Sequence, residues 1–392
     1  MGDRAIQREQ RVTPLELFFD LVVVFGFTQV TQLMSSDLTW SGVGRGLLVL
    51  AAIWWLWMGY AWLTNALEPE EGLVRFGMFA AMTAMFLIAL AAPNAFGTDA
   101  VLFGVMYLIV RLLNLALYTV AGRRDRDLLE ALERFAPASL VGSLIILGAA
   151  FVDERWRAPL WAIALIVLYS GPLFTRGRAW HISPTHFAER YGLIVIIALG
   201  ESVISLGVGA AHESITPGLV TAAILGIGVI VALWWAYFDV LAVIVQHQMS
   251  ETTGATRARL ARDYYSYLHM PMIAGIVLFA LGLKETIGDL DRPLEAVPAV
   301  ALCGGLALYF LTHVVQRVRI VYLIRRTSTD APGWIGPGRL AAGIAMLLLI
   351  PAAMRLSALA SLALATLICW SLIAWDMIHY REHRAEVRRD RP

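Results

Sequence analysis

Charge is scarce in this chain. Of its 392 residues 16% are Asp, Glu, Lys or Arg, and the two signs cancel to a formal net charge of +1. That balance offers no basic face for nucleic acid and no reason to expect an acidic substrate. Cysteine is scarcer: Cys303 and Cys369 both sit inside apolar blocks, which excludes a disulfide framework and leaves two small buried side chains. The stretch from Met1 to Arg8 has no short apolar core followed by a small-residue cleavage site, so no signal peptide is expected to be removed. Ile6 stands where a myristoylation signal has Ser or Thr. There is no HExxH pattern and no cysteine ligand for a metal, no segment that reads as a soluble domain, and nothing that implies a cofactor.

What the chain has in abundance is apolar surface. Its residues are 59% hydrophobic, and its mean hydropathy is +0.68. Apolar blocks of about twenty residues, each long enough to cross roughly 30 Å of hydrocarbon, recur along it. The expected fold is an all-α polytopic membrane protein whose partner is the lipid bilayer. Flanking charges, Pro and Gly bound twelve spans near 14–34, 43–66, 74–93, 99–121, 134–152, 157–175, 185–209, 217–245, 263–283, 295–316, 338–356 and 358–378.

Arginine fixes the expected orientation. With both termini cytoplasmic, the inside segments collect Arg4, Arg8, Arg11, Arg123, Arg124, Arg126, Arg176, Arg178, Arg257, Arg259, Arg262, Arg317, Arg319, Arg325, Arg326 and the tail from Arg381 to Arg391. The outside loops hold a few, such as Arg155, Arg157, Lys284 and Arg292. The acidic stretch from Glu68 to Gly72 falls inside, but acidic residues count little in this rule.

An internal repeat is also expected. The first and seventh spans align without a gap, Leu17 on Glu189, Asp20 on Gly192 and Gln29 on Glu201. The second and eighth share a Trp-rich end, from Trp57 to Tyr60 against Trp234 to Tyr237, and the fourth and tenth align Tyr107 to Arg111 with Tyr309 to His313. Residues 1–178 and 179–392 would then be two six-helix units in parallel orientation, related by an axis along the membrane normal.

The candidate site follows from the polar residues inside these spans, because a charge at such depth needs a partner. Counted at 1.5 Å per residue, Asp20 lies roughly 9 Å from the cytoplasmic end of its span. Arg190, Asp239, His269, His313 and Asn65 fall in the same layer. Arg111 lies about a turn deeper, on a stripe with Tyr107, Asn114 and Tyr118 that keeps one helix face polar. Gln29 and Glu201 form a thinner layer about 14 Å further out. Glu16, Asp20, Phe27 and Thr31 share one face of the first helix, as Arg190, Ile194, Ile197 and Glu201 do on the seventh. These faces are expected to meet, with Asp20 or Glu16 pairing with Arg190, and Arg111 pairing with Asp20, Asp239 or Glu201.

Other readings stand beside this one. The charges could be structural ion pairs that lock helix register, and Asp239 and His313 lie near enough to the interface to reach it. His186 and Glu189 could be metal ligands one turn apart, completed by His269 and His313. Trp54, Trp55, Trp57, Trp62, Trp234 and Trp235 could be interface-belt or packing residues or a ligand cage. Gly200, Gly207, Gly226, Gly228, Gly304 and Gly305 would let helices approach closely or relax the helix locally.

The run from Glu16 through Asp20 to Val22, and that from His186 through Glu189, Arg190 and Gly200 to Ser202, resemble the bacterial low temperature requirement protein A family over spans one to twelve. The resemblance implies a bacterial inner membrane protein and does not name a reaction. The run from Phe18 to Thr28 is also similar to the Phe-Ser-Asp helix opening of lysosomal-type potassium and proton channels, which build twelve spans from two six-helix halves. In those channels the seventh helix repeats the motif, whereas here Arg190, Tyr191 and Gly192 replace it. The resulting expectation is movement of an ion or small solute, with or without proton coupling, along a path between the two halves. The alternatives are an enzyme acting on a lipid or lipid-linked substrate, with His186, Glu189 or His269 as acid-base groups, and a structural or sensory membrane protein. Solute, direction and oligomeric state are not written in the sequence.

Overall fold

The computed structural model of the chain describes residues 11–67, 69–70, 72–123, 125–173, 182–211, 213–324 and 337–379. Arg4, Arg8, Arg124, Arg176, Arg178, Arg325, Arg326, the tail from Arg381 to Arg391, and Glu68 and Glu71 lie outside the described residues.

Each expected span is a helical segment: α1 Pro14–Ser36, α2 Trp40–Leu63, α3 Gly72–Ala91, α4 Ala100–Gly122, α5 Arg126–Ala149, α6 Glu154–Ser170, α7 Pro184–Ala210, α8 Pro217–Glu251, α9 Gly254–Gly288, α10 Ala296–Tyr322, α11 Pro337–Ala353 and α12 Ala358–His379. Eleven are long and apolar enough to cross a membrane, and α11 is a shorter apolar helix of 17 residues. The starts are chemically marked. Thr13, Thr39 and Thr216 cap α1, α2 and α8 by accepting a backbone N–H, and proline opens α1, α7 and α8.

Charge misplaces some expected boundaries. α5 begins at Arg126, capped by Asp125, and α9 begins at Gly254, both about nine residues before the expected starts at 134 and 263. Arginine ends the apolar block at the membrane edge, but it is a good helix former and the rod runs on through it. The sequence pattern also hides three π-helical turns, Tyr237–Leu241 in α8, Ala261–Tyr267 in α9 and Val300–Gly304 in α10.

Packing follows the same order twice. α1 packs on α2 and α3, α3 on α4, α4 on α5, α5 on α6, and α2 on α6; α7 packs on α8 and α9, α9 on α10, α10 on α11, α11 on α12, and α8 on α12. The two sets meet where α1 touches α7 and α9 and where α2 touches α7 and α9. α2 is accordingly the most enclosed span, with Trp54, Trp55 and Trp57 wholly buried. They are packing residues and not an interface belt, whereas Trp234 is 45% exposed. Large apolar side chains such as Phe18, Leu21, Phe79, Ile166, Leu348 and Leu367 cover the outside. In water such a surface would drive association; here it is the lipid-facing surface.

Backbone carbonyls on α2 and α8 also serve as docking points for side chains of other helices. Ala51 O accepts from Tyr169 on α6 at 3.0 Å, and Gly59 O from Asn114 and Tyr118 on α4 at 3.1 and 3.3 Å. Gly228 O accepts from Trp370 on α12 at 3.1 Å, and Ala236 O from Arg339 on α11 at 3.0 Å.

Small residues set the tightest crossing, between α9 and α10. A Cβ on Gly275 or on Gly305 would stand 2.7 Å from the carbonyl oxygen of the other, and one on Gly282 would stand 2.2 Å from the backbone nitrogen of Leu302. Of the glycines read from sequence as packing points, Gly226 and Gly305 are tightly packed, whereas Gly200 and Gly207 face open space. Gly282→Ala is therefore expected to lower the stability of the detergent-solubilised protein by about 1–3 kcal/mol. Gly207→Ala should be neutral or raise it by up to about 1 kcal/mol through helix propensity. Thermal unfolding of the pair checks this, and equal effects would contradict it.

Candidate functional site

The site begins with a helix cap. Thr13 and Glu16 form a capping box: the Thr13 hydroxyl accepts the Glu16 N–H at 3.3 Å, and Glu16 Oε2 accepts the Thr13 N–H at 2.9 Å. This fixes the Glu16 carboxylate at the start of α1 and leaves Oε1 facing α7. His186 Nε2 lies 3.1 Å from Oε1, and Arg190 Nη1 lies 3.4 Å from it. His186 and Arg190 are four apart on α7, so one helix face presents both.

One turn on from Glu16, Asp20 Oδ1 receives two donors, Arg190 Nη2 at 3.0 Å and Trp57 Nε1 of α2 at 2.8 Å. Arg190 also stands 5.9 Å from the centre of the Trp57 ring. Glu16, Asp20 and Arg190 are completely buried, and His186 is 1% exposed. Two carboxylates and one guanidinium sum to −1, and one proton on His186 would make the cluster neutral. With water excluded, each charge is held by its neighbours alone, so α1, α2 and α7 are tied at one point. The expected pairing of Arg190 with Glu16 or Asp20 is met by both.

Aromatic rings wall this cluster toward α8 and α9. Tyr191 stacks edge-on against Trp57 and packs on Phe187 and Tyr265. Trp54 and Trp62 donate to the Ser266 carbonyl and hydroxyl at 3.0 and 2.8 Å. The π turn of α9 leads into His269, whose Nδ1 lies 3.0 Å from Tyr264 O and whose Nε2 lies 2.9 Å from the Tyr237 hydroxyl. A carbonyl oxygen can only accept, so Nδ1 carries a proton toward Tyr264, while Nε2 bonds the Tyr237 hydroxyl. His269 is thus held between two π turns and does not join the ion cluster.

The second polar layer lies further along the same two helices. Glu201 accepts from Thr28 at 2.5 Å and from Ser205 at 2.9 Å. Gln29, expected in the same layer, is half-buried one residue along α1, about 100° around the helix from Thr28, which is the residue that bonds Glu201. Lys284 on α9 binds the Ser35 hydroxyl at 2.8 Å near that end of α1.

Several expected members stand elsewhere. Glu189 is exposed and accepts the Val12 N–H at 3.2 Å, turned away from His186, so these two do not share a ligand position. Among the described residues no group of three or more His, Cys, Asp or Glu could hold a metal ion. Arg111 does not reach Asp20, Asp239 or Glu201; its Nη2 donates to Trp55 O at 3.4 Å, and Asn114 donates to Gly59 O. Asp239 is half-buried on the π turn of α8. His313 is buried between α9 and α10, its Nε2 3.3 Å from Met272 Sδ and its ring 4.4 Å from that of Tyr309. Asn65 accepts the Ser183 N–H at 2.9 Å.

Sequence reasoning missed Trp57, Thr28 and Ser205 as carboxylate partners, since indole and hydroxyl donors look ordinary in an apolar run. The Thr13–Glu16 box was a legible signal, being the S/T-x-x-E pattern ahead of an apolar helix.

The family description "Bacterial low temperature requirement A protein (LtrA)" matches residues 11–374. A protein of Rhizobium meliloti (strain 1021), described as uncharacterized protein RA0937, is 28% identical over 281 residues, covering 68% of this chain and 67% of that protein. No solved structure matches the chain.

Removing one partner from a buried network strands the rest. Arg190→Leu is expected to cost about 3–5 kcal/mol of stability, because it leaves two carboxylates uncompensated. Adding Asp20→Asn to it should recover part of that loss. Unfolding of the single and double variants in detergent measures both, and a double variant no better than the single would refute the coupling.

Proposed function

The chain belongs to the bacterial low temperature requirement A protein (LtrA) family, and we propose that it moves an ion or small solute across the bilayer, coupled to protons, along the seam between α1 and α7. The observation that carries this reading is the pair of buried carboxylate stations on that seam. Asp20 and Thr28 are eight residues apart and Arg190 and Glu201 eleven, which separates the stations by roughly 12–16 Å along the helices. The buried residues between them include Val23, Phe27, Ile194, Val195 and Ala198, an apolar stretch of the kind that closes a pore by excluding water. Glu201 is bonded by two hydroxyls and not by a guanidinium, so taking up a proton there does not break an ion pair. In the first station the same event sits beside Arg190, and it would loosen the tie between α1 and α7.

The two six-helix units, residues 1–178 and 179–392, form part of this proposal. Alignment of Trp57 with Trp234 places Gly59 on Ala236 and Ala51 on Gly228. All four of those carbonyls accept side chains from other helices, as do the carbonyls of Trp55, Leu225 and Leu233, and Ala51 and Gly228 accept from the sixth helix of their own unit. This correspondence supports a duplication, with the path at the junction of the units.

For orientation, Arg11, Arg75, Arg123, Arg126, Arg257, Arg259, Arg262, Arg317 and Arg319 lie toward the rim where α1 begins, and Arg45, Arg155, Arg157, Lys284, Arg292 and Arg355 toward the other. The first rim is the cytoplasmic one in this reading, in a bacterial inner membrane.

The test is flux in reconstituted vesicles containing a pH-indicating dye, under an imposed potassium diffusion potential. Asp20→Asn and Glu201→Gln should each reduce proton flux to the level of empty vesicles while the proteins remain monodisperse. Wild-type flux in both variants would remove the transport reading.

A further inference from the structure

Three arginines are buried among the described residues, Arg111, Arg190 and Arg339. Two of them face carboxylates: Arg190 has Glu16 and Asp20, and Arg339 has Asp376 at 2.9 Å. Arg111 forms no ion pair of this kind. Its Nη2 makes one long hydrogen bond to Trp55 O at 3.4 Å, its Cζ stands 6.0 Å from the centre of the Phe135 ring, and Nε and Nη1 have no hydrogen-bond partner.

Its position makes this costly. Arg111 is fully buried, and it lies eleven residues from each end of α4, Ala100 and Gly122, so it sits roughly 16 Å from either end of the span, at the level farthest from water. Snorkelling to the interface would need a side chain longer than arginine has. An unbalanced guanidinium at that depth is among the least tolerated groups in a membrane protein.

The surroundings are built for a guest with negative charge. Tyr107, one turn before Arg111 on the same face, brings its hydroxyl into interaction range of the guanidinium, short of full hydrogen-bond geometry. α4 and α5 run antiparallel, Gly104 against Leu147 and Gly122 against Leu129, which brings Phe135 and Ser139 level with Arg111. The Ser139 hydroxyl is fully buried and also unpartnered. On the α2 side the Cβ position of Gly59 is 3.1 Å from Arg111 Nη1 and 3.3 Å from Asn114 Oδ1, so any larger residue there would press on the guanidinium. Asn114 Oδ1 is the orphaned acceptor of the group, and it stands on the Nη1 side. The remaining orphans here, Arg111 Nε and the Tyr107 and Ser139 hydroxyls, can all donate.

We propose that Arg111 is half of an ion pair whose other half is a small monovalent inorganic anion of the halide class, held between α2, α4 and α5 by the guanidinium and the Tyr107 hydroxyl. Such an ion neutralises the charge and satisfies the donors together, which a water molecule cannot do. The site lies away from the α1–α7 seam and does not rest on the transport reading.

The probe is bromide. The purified protein is melted in detergent in sodium bromide and in sodium gluconate at the same ionic strength. The wild type should melt roughly 2–4 °C higher in saturating bromide, and Arg111→Gln should show no difference between the salts. Absence of a bromide effect in the wild type, or an equal effect in both proteins, would overturn the proposal. If Arg111→Gln does not fold, wild-type crystals grown in bromide decide: an anomalous peak in contact with the Arg111 guanidinium supports the site, and its absence there overturns it.

Discussion

A charged side chain cannot be left alone where there is no water, and the rest of this structure is arranged around that constraint. Glu16 and Asp20 enter the bilayer on α1 because the capping box starts the helix there, and Arg190 is the cation that reaches both. Satisfying them fixes the rotation of α1 and α7 about their axes and the register between them. It also fixes α2, since the Trp57 indole is the second donor to Asp20. With three helices set, the neighbouring aromatic rings have defined partners, and Tyr191 is packed against Trp54, Trp57, Phe187, Tyr265 and His269.

The π turns belong to the same logic. An α-helical α9 would carry its last turn before His269 at a different rotation. The turn Ala261–Tyr267 widens the helix so that Tyr264 O is offered to His269 Nδ1 and Ser266 to Trp54, Trp62 and Tyr191. π turns cluster at sites where a side chain must be re-aimed at some cost in helix stability. Here two of them, in α8 and α9, flank one histidine. Through Ser266 the π turn of α9 thus bonds to Trp54 and Trp62 of the Trp-rich α2.

The apolar blocks carried the helical architecture plainly, because the bilayer thickness imposes a length that composition alone reveals. The pairing of Arg190 with Asp20 and Glu16 was also legible, since spacing of three and four residues assigns a helix face without knowledge of the fold. Arg111 shows where that reasoning stops: its depth was right, but its helix packs on α2 and α5, away from the carboxylates to which depth alone had matched it. Glu189 stands a single residue of helical phase, about 100°, from Arg190, which turns it outward, and by the same step Thr28 and not Gln29 meets Glu201. The π turns left no mark in the apolar pattern, because hydrophobicity does not report an extra residue within a buried helix.

The central claim is that the Glu16–Asp20–Arg190 cluster clamps α1 to α7. Spin labels at Leu21 and Ile196, both on the lipid-facing surface, report the separation of these helices in a reconstituted bilayer, and the native cysteines are buried beyond the reach of the label. The account predicts one narrow distance distribution in the parent protein and a longer or broader one when Arg190→Leu is introduced with both carboxylates retained. Superimposable distributions in the two proteins would contradict it.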